Sequence, residues 1–255
     1  MKFSLCIGAY PEKDLIYHLE KVSEHGFAGL EYYAWWNIED LKTVAKEQQR
    51  IGSGITATCT KSFNLVDDRK RDVYIEDLKQ TIEACHTLGT KSIITQTGQV
   101  IDGLPREYQR KAMVETLKRC APLCEQAGIV LEVEPLNGIV NHQGHFVQYS
   151  YEAADIIDQV DSPYVKLVFD VYHQQITEGH VIANATRYKD RINHYHIADN
   201  PGRNQPGTGE LNYLNILQAI QNTGYEGIVG LECGYTIDTD EALLQFKREI
   251  AARLE

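Results

Sequence analysis

The chain has no Cys-x-x-Cys pair, no excess of cationic side chains and no long apolar run, and each absence removes a class of function. Its six cysteines, Cys6, Cys59, Cys85, Cys120, Cys124 and Cys233, are scattered over 255 residues, so neither a disulfide framework nor a thiolate-rich zinc site is expected. Cys120 and Cys124 share a helix face but lack nearby partner ligands, and read as packing residues. Lys and Arg number 25 against 36 Asp and Glu, a net charge of −11. An overall phosphate-neutralising surface is therefore missing, and neither nucleic acid nor an anionic membrane is an expected partner. No stretch of about 18 apolar residues occurs, and the first residues, MKFSLCIGAYPEKD, hold too short an apolar core for a signal peptide. A cytoplasmic location is the expectation. The first strand pattern runs into Gly8-Ala9-Tyr10-Pro11 rather than a G-x-G-x-x-G turn, and no G-x-x-x-x-G-K-[ST] is present. Heptad and Gly-X-Y periods are also absent, which excludes coiled coils and collagen-like repeats.

What the sequence does hold is a composition of 43% hydrophobic and 24% charged residues, enough for a substantial core. Short apolar runs alternate with longer segments of helical period from end to end. Strands are predicted at 3–7, 28–32, 55–59, 91–95, 129–134, 165–170, 192–197 and 227–232. Helices are predicted at about 13–25, 38–51, 73–88, 107–127, 151–160, 180–190, 214–223 and 239–254. Continuous apolar strands separated by helices indicate a parallel sheet covered on both faces. Asn37, Ser150 and Thr239 occupy expected N-cap positions, while Gly26, Gly89, Gly128 and Gly224 follow helices as chain-reversing residues. Eight such units without a Pro- or Ser-rich linker favour a single α/β domain over 1–255, a (β/α)8 TIM barrel, over an open doubly wound sheet.

Barrels carry their chemistry at the carboxyl ends of the strands, which directs attention to the polar residues there. Glu134 in LEVEPLN, Asp170 in VFDVYH, His196 in HYHIAD and Glu232 in GLECG close the last four strand patterns. Their separations of 36, 26 and 36 residues approximate one βα unit each, so each strand delivers one ligand to a common mouth. Three converging carboxylates repel unless a cation neutralises them. Oxygen-rich coordination with one imidazole suits Mn²⁺ or Mg²⁺, with Co²⁺ as a third choice. His173 follows Asp170 by three residues, and the polar loop DNPGRNQPGTGELNY at 199–213 carries Arg203, whose planar fork matches a carboxylate, and Glu210.

These stretches resemble the xylose-isomerase-like barrels of sugar isomerases and epimerases, and within them the hydroxypyruvate isomerase group. The resemblance runs nearly the whole length and is carried by EPLN at 134–137, FDVYHQQITEG at 169–179, HYHIADNPGRNQPGTGELNY at 194–213 and the G-x-x-G-L-E stretch at 227–232. It implies that Glu134, Asp170, His196 and Glu232 are the metal ligands, that Glu134 and Glu232 are the catalytic proton-transfer pair, and that His173 and Arg203 bind substrate. The implied reaction is a metal-dependent aldose–ketose isomerisation through a cis-enediolate, converting hydroxypyruvate to tartronate semialdehyde. Two alternatives stay open: a ketose 3-epimerase, whose pattern has histidine at the place of His196, and an isomerase of four-carbon 2-oxo acids (2-oxo-tetronate). A small hydroxy-keto acid or sugar is thus the implied partner, and association into a homo-oligomer is the family's habit. A DNA-cleaving relative would need more histidines and a basic surface. A non-catalytic binder would lack a ligand or base, and here none is missing.

Other residues are less decisive. His142 and His145 in NHQGHF fit either the lining of a substrate pocket or a surface loop, and the surface loop is the favoured reading. Tyr32, Tyr33, Trp35 and Trp36 fit a substrate wall, a subunit contact or packing equally, and Lys61 ends the third strand pattern.

Overall fold

The computed structural model describes residues 1–254. Eight strands form the barrel: β1 (Lys2–Cys6), β2 (Leu30–Glu31), β3 (Ile55–Cys59), β4 (Ser92–Thr95), β5 (Val130–Val133), β6 (Val165–Asp170), β7 (Ile192–Ile197) and β8 (Ile228–Leu231). They pair in sequence order, all parallel, and β8 closes on β1 through Lys2–Ile228 to Leu5–Leu231. The outer layer is α1 (Leu15–Glu24), α2 (Leu41–Ile51), α3 (Arg71–Leu88), α4 (Arg106–Ala127), α5 (Ser150–Val160), α6 (Val171–Thr177), α7 (Val181–Arg187), α8 (Tyr213–Gln221) and α9 (Thr239–Glu249). The (β/α)8 expectation therefore holds, and Cys85, Cys120 and Cys124 sit in the apolar layer between strands and helices as free thiols. Among the described residues no helix is long and apolar enough to cross a membrane.

The differences from the predicted elements have local causes. β2 keeps only two of its five expected residues, because its register on β3 shifts between Leu30 and Glu31. The segment after β6 folds as two short helices: Gly179 and His180 both adopt positive φ, which ends α6 and redirects the chain into α7. Two helix starts move to aspartate acceptors. Asp40 caps α2 by accepting from the amides of Lys42 and Thr43, while Asn37 closes a preceding 3-10 turn. Asp238 caps α9, leaving Thr239 as its first residue, and Ser150 likewise opens α5 without capping it. The four helix-terminating glycines all have positive φ as expected.

Candidate metal centre at the barrel mouth

The last four strands carry one polar side chain each to the mouth. Asp170 and His196 lie within β6 and β7, whereas Glu134 and Glu232 stand one residue beyond β5 and β8, each anchored by its amide to the neighbouring strand's carbonyl (Thr95 and Ile197). One ligand atom from each of the four lies within 4.8 Å of the others. His196 Nδ1 is 3.1 Å from Glu232 Oε2 and 3.4 Å from Glu134 Oε1. Metal–oxygen bonds of about 2.1 Å separate adjacent ligand atoms by roughly 3 to 4 Å, so this spacing suits one divalent ion.

The donors are also left waiting for a partner. Glu134 Oε1, Asp170 Oδ2 and His196 Nδ1 are buried and make no hydrogen bond within the chain. Buried polar atoms are rarely orphaned, and three converging on one point match the needs of a cation.

Charge in this cluster is distributed unevenly. Burial pushes the Glu134 carboxyl up to about 7, with Glu232 and Asp170 adding repulsion and His196 opposing it. Burial also resists ionisation of Glu232, but His196 and Arg203 outweigh it and hold that carboxyl well below the usual range. For His196 burial disfavours the charged ring, yet Glu31, Glu232 and Glu134 together raise its affinity for a proton. A cation must displace those protons. Metal-stripped protein is accordingly expected to bind Mn²⁺ more tightly at about pH 8 than at about pH 6 and to release protons on binding, which calorimetry in buffers of different ionisation enthalpy measures. Equal affinity at both pH values would contradict the assigned donors.

Sequence reasoning missed what holds His196. Its Nε2 lies 2.8 Å from Glu31 Oε2, and Glu31 Oε1 accepts from Ser4 Oγ and faces His194 Nε2 at 3.1 Å. His194 Nδ1 is 3.2 Å from Glu132 Oε2, whose other oxygen accepts from Asn193. A ladder of two carboxylates and two imidazoles, all fully buried, thus crosses the barrel interior beneath the mouth. Burial opposes charge on His194, but Glu31 and Glu132 prevail and raise it to about 9. The ladder needs room: a Cβ at Gly230 in β8 would run into Glu31 and lie 2.9 Å from His196 Cδ2. The available signal was an ionisable residue inside each of three strand patterns, Glu31 in GLEY, Glu132 in VLEV and His194 in NHYH.

Arg203 and His173 reach the same place. Arg203 donates to Glu232 Oε2 at 2.7 Å, lies 3.6 Å from Asp170 Oδ2 and stacks its guanidinium 5.3 Å above the Tyr172 ring. Its loop is gathered by the buried Asp199, whose carboxylate accepts from the amides of Asn200, Gly207 and Leu211. His173 is fully buried on α6, with its amide donating to Asp170 Oδ1 and its Nε2 3.6 Å from Asp170 Oδ2. Burial, with Arg203 adding to it, lowers its pKa to about 4 despite Asp170.

The remaining sequence candidates separate. His145 is not a surface residue: it is buried and bonded to Thr97 Oγ1, because the 138–148 loop folds back to bridge Gln99. His142 packs edge-on against His173 at 5.2 Å and so belongs to the mouth. Trp35 donates to Thr81 on α3, a packing contact. Lys61 is exposed, and Glu210 is an exposed partner of Gln175 and Asn200.

With this geometry in view, comparison with known proteins is decisive at the level of family. The model of the xylose isomerase-like TIM barrel matches residues 19–251. The chain belongs to that family. Within the xylose isomerase-like barrels it falls in the hydroxypyruvate isomerase group: it is 30% identical to hydroxypyruvate isomerase of Escherichia coli over 231 residues, 88% of this chain and 89% of that one. It is 34% identical to a putative hydroxypyruvate isomerase of Xenopus laevis over 68% of this chain and 65% of that one. Among solved structures, one described as an AP endonuclease, family 2, from Brucella melitensis superposes with a TM-score of 0.90 over 98% of this chain and 99% of its own. At 22% identity that likeness is one of fold. Family membership places the chain among isomerase enzymes, in the sugar isomerase and epimerase class.

Proposed function

We propose that this enzyme is a divalent-metal-dependent aldose–ketose isomerase acting on hydroxypyruvate, with Glu134, Asp170, His196 and Glu232 as ligands and Mn²⁺ or Mg²⁺ as the ion. The observation that carries this reading is the pair of carboxylates, Glu134 and Glu232, both close to the His196 ring nitrogen, with Arg203 bonded to one of them. A cation held there supplies Lewis-acid stabilisation for negative charge developing on the substrate oxygens. The chain's own groups do the rest. Arg203 is the one cationic side chain among the groups named here whose fork suits a substrate carboxylate, and a carboxylate that engages it competes with Glu232. Freed of that ion pair, Glu232 regains basicity and removes a proton from the hydroxymethyl carbon. That proton is returned to the neighbouring carbon, by Glu232 itself or by way of Glu134, and the hydroxyl proton passes to the former ketone oxygen. Hydroxypyruvate thereby becomes tartronate semialdehyde with no net gain or loss of protons.

Two experiments test this reading. Proton NMR in D₂O with metal-stripped enzyme and added Mg²⁺ is expected to show metal-dependent loss of hydroxypyruvate, with deuterium entering at the carbon beside the new aldehyde. Exchange only at C3 of a free ketose would identify an epimerase instead. Arg203→Ala is expected to raise KM for hydroxypyruvate at least about tenfold, the scale of a lost charge-assisted hydrogen bond, and to leave a neutral ketose little affected. Equal effects on both substrates would remove Arg203 from carboxylate recognition.

A further inference from the structure

One polar residue beside the mouth has no place in the scheme above. Asn137, the last residue of EPLN, is fully buried yet makes every hydrogen bond its amide allows. Its Oδ1 accepts from the backbone amides of Val140 at 2.9 Å and Asn141 at 3.2 Å. Its Nδ2 faces His173 Nδ1 at 2.6 Å and donates to Asn141 Oδ1 at 3.1 Å. The two backbone amides settle the orientation of the side chain, since only oxygen can receive them, and the NH₂ must then point at His173. The Asn137 backbone amide donates to the same His173 Nδ1 at 3.3 Å. Two donors therefore converge on one ring nitrogen, which has to be the acceptor. The proton of the neutral ring lies on the other nitrogen. His173 Nε2 is buried, has no hydrogen-bond partner in the chain and stands 3.6 Å from Asp170 Oδ2.

We propose that Asn137 is a positioning residue that locks His173 as the Nε2–H tautomer, so that His173 meets the substrate only as a hydrogen-bond donor. The lock deepens the proposed function and rests on it, with the added reading that His173, beside Asp170 at the mouth, meets the substrate. A histidine that can only donate stabilises a carbonyl oxygen as it gains negative charge and cannot take a proton from carbon. This divides labour in the mouth: proton transfer at carbon stays with the carboxylates, and His173 favours an oxygen acceptor next to Asp170. It also explains why a buried amide is spent on a loop whose turn needs only its oxygen.

The test compares two substitutions. Asn137→Asp keeps an oxygen for the Val140 and Asn141 amides, so the turn survives, but presents an acceptor to His173 Nδ1. Asn137→Ala removes both oxygen and donor, leaving the backbone amide as the remaining donor to Nδ1. A purely structural role ranks Ala as the worse change; a tautomer lock ranks Asp as the worse. The primary readout is the ¹⁵N spectrum of histidine-labelled protein, with His173 assigned by its disappearance in His173→Gln, and it requires neither metal nor substrate. Wild type and Asn137→Ala are expected to show an unprotonated Nδ1, and Asn137→Asp a protonated one. Hydroxypyruvate turnover is expected to fall at least about a hundredfold in Asn137→Asp, chiefly in kcat, and about tenfold in Asn137→Ala. A protonated Nδ1 in the wild type, or an unchanged tautomer in a folded Asn137→Asp, overturns the lock. A shifted tautomer together with no activity on hydroxypyruvate in any form of the enzyme, wild type included, leaves the lock standing and overturns the substrate assignment instead.

Discussion

Glu134→Gln and Glu232→Gln are each expected to lower turnover at least about a hundredfold while the barrel stays folded, because each removes a proton-transfer group and keeps its shape. Amide oxygens can still coordinate a cation weakly, so the two variants should retain some metal binding, and an assay limited to metal content would miss the effect. The variants should also differ from each other. Glu232 is bonded to Arg203 and close to His196, so its replacement leaves a guanidinium in the mouth without its carboxylate and disturbs the ring beside it. Glu134 has burial as its main perturbation and no direct guanidinium contact, so its loss disturbs the surrounding charge less. In D₂O, a variant that still exchanges the hydroxymethyl proton without forming product identifies the remaining carboxylate as the abstracting base. Near-wild-type rates for either variant would remove the two-carboxylate scheme.

The second large effect is expected far from any substrate atom, at Glu31. Glu31→Gln cannot accept from both His194 and His196 while satisfying its own NH₂, so one imidazole must turn or change tautomer. The outer partner of a metal-binding histidine typically contributes ten- to a hundredfold to affinity, and a loss of about that size for Mn²⁺ is expected by calorimetry. Glu31→Leu is more severe. It removes one of the two carboxylates that face a cationic His194 in a fully buried site, and breaking a buried ion pair costs about 3 to 5 kcal/mol, visible in urea unfolding. The sign of its pH dependence follows from His194, whose pKa is raised to about 9 by Glu31 and Glu132. That part of the stability is present below about 6.5 and declines as pH rises toward 9, and Glu31→Leu should flatten the decline. Unchanged metal affinity in Glu31→Gln, with the fold intact, would show that His196 is held in place by other contacts.

The barrel and the four side chains that converge at its mouth were legible in the sequence because both depend on short-range regularities. A parallel strand buried on both faces writes itself as an apolar run, and a ligand at its carboxyl end follows that run directly, as in VKLVFD and GIVGLE. Arg203 and His173 were legible through the motifs around them. The ladder under the site was not, because Glu31 and His194 are 163 residues apart and nothing in either strand pattern states that they meet. His145 was misread for a related reason: a polar loop is ordinarily outside, and only the bridge from Gln99 turns this one inward. Asn137 stood in plain view in EPLN, but an amide's role depends on which of its two ends faces which neighbour, and that is fixed only by the folded loop.

The three amide bonds to Asp199 have a consequence for binding entropy. Arg203 sits at φ 55°, a left-handed conformation that costs a non-glycine residue about 1 to 2 kcal/mol, and the chain accepts that cost when it folds. The guanidinium is consequently in place before a substrate arrives, and little backbone freedom is left to lose on association. Loosening the loop at Asp199 would keep every substrate contact available while making each encounter also an ordering event, so that affinity would fall through entropy with the contacting atoms unchanged.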